Sequence, residues 1–62
     1  MEAIETLRAE NKKLLTLSGK LIKKVNQMMR KDVNGAKLLF ARVEEINEKI
    51  QENNVLIILQ GA

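Results

Sequence analysis

Apolar residues return along the chain at alternating steps of three and four. In the first half, Ile4, Asn11, Ser18 and Val25 fall on one line and Leu7, Leu14, Leu21 and Met28 on another, and six of these eight positions are apolar. That is the spacing of a helix seam. A third line, Leu15, Ile22 and Met29, lies beside it and widens the stripe beyond what a bare two-stranded coil buries. The second half repeats the arrangement with Ala36, Val43, Ile50 and Ile57 on one line and Leu39, Ile46, Asn53 and Gln60 on the other, again with six of eight apolar. Leu38, Phe40, Leu56, Ile58 and Leu59 fall outside this second seam, so the last turns are apolar almost all round. No alternating period-two stretch survives between charged residues, and strands are not expected.

Between the halves lies Asp32-Val33-Asn34-Gly35. Asn-Gly is a strong turn signal because both residues tolerate positive φ. Arg30 and Lys31 sit where cations favour a helix C-terminus, and Glu2 and Glu5 where anions favour an N-terminus. The pattern therefore predicts an all-α chain forming one helical-hairpin domain over 1–62. Helix 1 spans about 3–31, the turn 32–35 and helix 2 about 36–60, with the helices roughly 43 and 38 Å long. The alternative is one continuous coiled-coil helix of ~90 Å, because the line Leu15, Ile22, Met29 continues in phase as Ala36, Val43, Ile50, Ile57. Against it, a parallel in-register dimer of that helix would set its cationic segment against its own copy. Gly19 inside helix 1 marks either a bend or close helix contact, or an exposed face that tolerates it.

A chain of 62 residues is one small domain. A hairpin of this size cannot bury its extra apolar lines by itself, and self-association into a four-helix bundle is the expected solution. The lines named for contact with a second copy or another protein are Leu15, Ile22, Met29, Leu56, Ile57 and Leu59. Residues 4–14, with Asn11 on the Ile4 line, resemble a leucine-zipper heptad, and the resemblance extends to Leu21 and Met28. It implies a seam in which a buried asparagine selects register and partner at some cost in stability. A polar residue near a fraying end is the other reading of Asn11.

Charge is uneven. Residues 11–31 carry seven cations and no acid, whereas 43–62 carry Glu44, Glu45, Glu48 and Glu52 against Lys49. This asymmetry suggests that the two halves lie side by side. Lys13, Lys20, Lys24 and Lys31 follow one stripe of helix 1, with Lys23 and Arg30 beside it and Arg42 and Lys49 expected at its edge. Such a ridge is suited to phosphates, and nucleic-acid binding is the alternative function. In architecture alone the layout is similar to plasmid RNA-binding helical hairpins of the Rop type, and to small hairpin chaperones of bacterial secretion and flagellar export.

Composition removes most chemistry. The chain has no His, Cys, Trp, Tyr or Pro, and Phe40 is its single aromatic. That excludes His or Cys general bases and nucleophiles, His/Cys metal sites, disulfides and aromatic base-stacking platforms. Glu45, Glu48 and Glu52 share a helix face, read as solvated rather than metal-binding. No catalytic residues, cofactor or small-molecule substrate is expected, and the chain is not read as an enzyme. The longest apolar run, Val55–Leu59, is five residues, against the ~20 of a membrane span. With no cysteine and acidic residues throughout 1–15, the expectation is a soluble cytoplasmic protein that works through protein–protein contact, as an oligomerisation module, adaptor or chaperone-like factor.

Overall fold

A computed structural model describes residues 3–61. Two helices, α1 (Ile4–Met28) and α2 (Val33–Leu59), pack side by side as an antiparallel hairpin 46 Å long and 14 Å across. The continuous helix is thereby excluded. No strand occurs among the described residues.

The seam is the one the heptads predict. Leu7, Ser18 and Val25 of α1 and Ala36, Val43 and Asn53 of α2 are buried; Ile4, Leu14, Leu21, Met28, Leu39, Ile46, Ile50 and Ile57 are half-buried between them. The fully enclosed apolar core is small: Leu7, Val25, Ala36 and Val43. Each of the two helices buries a single stripe, so the large apolar side chains off that stripe stay exposed.

The chain reverses over Met29–Asp32, not at 32–35. Helix α1 therefore ends at Met28 instead of 31, and α2 begins at Val33 instead of 36. Lys31 N and Asp32 N both donate to Met28 O, at 2.9 and 2.6 Å, and close the first helix. Arg30 and Lys31 consequently stand in the reversal, beyond the last turn of α1. The physical reason for the shift is Asp32. Its carboxylate accepts from Gly35 N at 2.9 Å and caps α2, satisfying a donor that a helix start otherwise leaves free. Asn34 and Gly35 are thus drawn into the first turn of α2, and no residue of the reversal adopts positive φ. Glycine still suits position 35, for a different reason. A Cβ there would collide with the Asp32 carboxylate and sit 2.9 Å from Met28 Cε.

At the other end Ala3 precedes α1 with no side-chain cap, and Leu7 N bonds Ala3 O at 3.1 Å. Glu5 occupies the first turn, where its charge suits the helix dipole; Glu2 lies outside the described residues. Helix α1 runs unbroken through Gly19, which faces open space.

Candidate interaction surface

Seam packing leaves two long flanks where the helices meet solvent, and they differ in chemistry. On one, the heptad phase sets Leu15, Ile22 and Met29 of the first half beside Val33 and Phe40 of α2. All five are exposed, and Met29 and Phe40 line one shallow hollow with Val25 and Ala36 at its floor. Towards the open end of the hairpin this flank becomes polar, through Arg8, Asn47 and Asn54. We call it the apolar flank.

The opposite flank is cationic. Lys24 and Arg42 line a single hollow with Leu17, Leu38 and Glu45, and Lys12, Lys13 and Lys20 line the neighbouring one with Leu17. Lys13, Lys20, Lys24 and Lys31 are all exposed, as are Lys23 and Arg30. The approach of Arg42 to the lysine stripe is as the sequence suggested. The two halves lie side by side, as their charge asymmetry suggested, without an ion pair between them. The only ion pair among the described residues joins Lys49 Nζ to Glu52 Oε2 at 4.0 Å, within α2. The acidic residues of α2 and the cations of α1 are exposed, and Glu45, which shares the hollow of Lys24, makes no ion pair with it.

Of the residues named for contact, Leu15, Ile22, Met29, Leu56 and Leu59 are exposed. Ile57 is half-buried within the seam of the hairpin itself. Leu15, Ile22 and Met29 fall together on the apolar flank. Leu56 and Leu59 join Val55 and Ile58 in an exposed apolar tip at the end of α2, and Leu59 retains 76% of its accessible surface. The sequence reading passed over Val33, assigning it to the turn; its place one heptad before Phe40 was the available signal.

A polar cluster pins the seam near its open end. Asn11 Nδ2 donates to Asn54 Oδ1 and Asn53 Nδ2 donates to Asn11 Oδ1, each at 2.9 Å. Asn11 is therefore a seam asparagine, half-buried and held from both sides. Asn53 is 0% exposed, and its Oδ1 has no partner. The pairing was legible only as a coincidence of distance: Asn11 and Asn53 are the polar exceptions on their lines, and stand at nearly equal remove from the reversal.

Among the described residues no three His, Cys, Asp or Glu side chains converge in a way that holds a metal ion; Glu45, Glu48 and Glu52 are each exposed. No described helix is long and apolar enough to cross a membrane. Comparison of the chain with protein-family models, with curated proteins and with solved structures finds no match.

Proposed function

We propose that the hairpin is a small non-enzymatic protein–protein interaction module that self-associates, as a dimer forming a four-helix bundle, and acts in the cytoplasm as an adaptor or chaperone-like factor. One observation carries this reading. The described residues enclose four apolar side chains and leave eleven large hydrophobic ones exposed. A core of four enclosed side chains is small for a chain of this length. Association supplies the missing burial, and a chain this short commonly needs it.

The test is the dependence of folding on concentration. The melting temperature should rise with protein concentration, and sedimentation should report two chains per particle. A concentration-independent midpoint with the mass of one chain would reject the proposal.

The second reading is nucleic-acid binding along the cationic flank. It is favoured by the shared hollow of Lys24 and Arg42, with Lys12, Lys13 and Lys20 next to it and no carboxylate paired to any of them. Binding of that kind weakens steeply with added salt, in proportion to the phosphates neutralised, whereas capture of a protein on the apolar surface does not.

A further inference from the structure

We infer that the second copy docks on the apolar flank with its reversal at the same end of the bundle, so that α1 of each copy lies against α2 of the other. This rests on the self-association proposed above, and names the face and the arrangement.

The choice of flank follows from charge. Pairing the opposite flank with itself would bring Lys24, Arg42 and Lys49 of one copy against the same cationic group of the other, next to the seam. On the apolar flank Arg8 stands at the open end, and the charges lining the hollow of Met29 and Phe40, Lys37 and Glu44, are of opposite sign. Burying the apolar flank covers Leu15, Ile22, Met29, Val33 and Phe40 at once, the largest contiguous group of exposed apolar side chains on the hairpin's length.

The choice of direction follows from how that flank is graded. Two hairpins stacked face to face about a twofold axis have two arrangements. With reversals at opposite ends, α1 runs along α1 of the second copy. The apolar half near the reversal then covers the polar half bearing Arg8, Asn47 and Asn54, and the seven cations of residues 11–31 lie along their own duplicate. With reversals at the same end, equal heights meet. Ile22 reaches the level of Phe40 of the second copy, Met29 that of Val33, and the polar ends meet each other. The cationic helix then neighbours the one bearing Glu44, Glu45, Glu48 and Glu52. Apolar grading and charge, two independent features, select the same arrangement. It also gathers the apolar tips of both α2 helices, Val55 to Leu59, at one end of the bundle, as a paired surface for a further protein.

The chain has no cysteine, so a single label reports the geometry. Lys31→Cys, an exposed position in the reversal, is spin-labelled and the distance between labels measured by dipolar spectroscopy. Helices in contact are ~8–10 Å apart, so same-end packing gives a label separation of roughly 30 Å or less. A separation near or above the 46 Å length of the hairpin would overturn the arrangement while leaving self-association intact. In parallel, Ile22→Asp on the apolar flank should weaken the dimer at least tenfold, and Leu17→Asp on the cationic flank less than threefold. The reverse order would place the contact on the wrong flank. A particle of one chain at every concentration would remove the self-association itself.

Discussion

Asn53 and Asn11, 42 positions apart, meet across the seam through a hydrogen bond from Asn53 Nδ2 to Asn11 Oδ1. Asn11 passes the interaction on to Asn54, but the second amide atom of the fully buried Asn53 finds no partner. The cluster therefore fixes which residues face each other at a cost in stability, as polar residues in apolar seams do. The two ends of the bond should respond oppositely to leucine. Asn11→Leu strips Asn53 of its one bond and leaves a buried amide unsatisfied, a loss of about 1–3 kcal/mol. Asn53→Leu removes the orphaned atom together with the buried amide, and should raise stability by about 1 kcal/mol. Denaturant unfolding at fixed protein concentration checks both signs; equal destabilisation by the two variants would show that the cluster contributes net stability.

The start of α2 makes a similarly coupled pair. Removing the cap with Asp32→Ala should cost about 1 kcal/mol. Alanine in place of a helical glycine ordinarily contributes about 1 kcal/mol of stability, but at Gly35 the new Cβ meets the carboxylate that caps the helix. Gly35→Ala in the native background should thus be near neutral, the helix gain offset by the displaced cap. In the Asp32→Ala background only the flexible end of Met28, 2.9 Å from the new Cβ, has to give, and the same change should stabilise by up to about 1 kcal/mol. A double-mutant cycle in thermal unfolding reads the coupling directly. An additive cycle would mean the cap moves aside freely.

These cases mark where the sequence was informative. Both seams were legible residue by residue, because heptad periodicity reports which stripe of a helix must leave water, and nothing else in the chain competes with that signal. The reversal was displaced by a turn because Asn34-Gly35 carries two meanings: glycine suits positive φ, and it also suits a crowded helix start. Asp32 decides between them through a hydrogen bond that spacing alone does not reveal. The flanks were half legible. Leu15, Ile22 and Met29 stood out as a third line, yet Val33 and Phe40 completed their face only once the reversal point set the phase of α2 against α1. Charge pointed to the right arrangement without supplying the contact. Opposite net charge in the two halves fits helices lying side by side, as they do, but no ion pair joins them among the described residues.

Burial separates side chains that hold the hairpin from those available for contact. Leu7 is 0% exposed and one of the four residues of the enclosed core. Leu7→Ala should cost about 2–5 kcal/mol, a large part of the stability of so small a fold, and should reduce helical circular dichroism at 25 °C. Leu38, on the outer side of α2, is 74% exposed. Leu38→Ser should change stability by no more than about 0.5 kcal/mol. A loss comparable to that of Leu7→Ala would reveal a contact that the hairpin alone does not make.

Lys20 lies on an exposed face of α1, four residues before Lys24, and neither makes an ion pair. Like charges at that spacing destabilise a helix by roughly 0.2–0.5 kcal/mol, and a carboxylate placed N-terminal to a lysine stabilises it by a similar amount. Lys20→Glu exchanges the first condition for the second, so it should stabilise the fold by about 0.5 kcal/mol at low salt. That gain should shrink at physiological ionic strength, where the Debye length falls to ~8 Å. Self-association should be unaffected, since Lys20 stands away from the apolar flank. Affinity for a nucleic acid held along the cationic flank would instead fall, with a shallower dependence on salt, because one phosphate contact is lost and an acid introduced. Melting curves at two salt concentrations, with sedimentation on the same samples, test the first two expectations. Loss of the two-chain particle on Lys20→Glu would move the contact from the apolar flank to the cationic one.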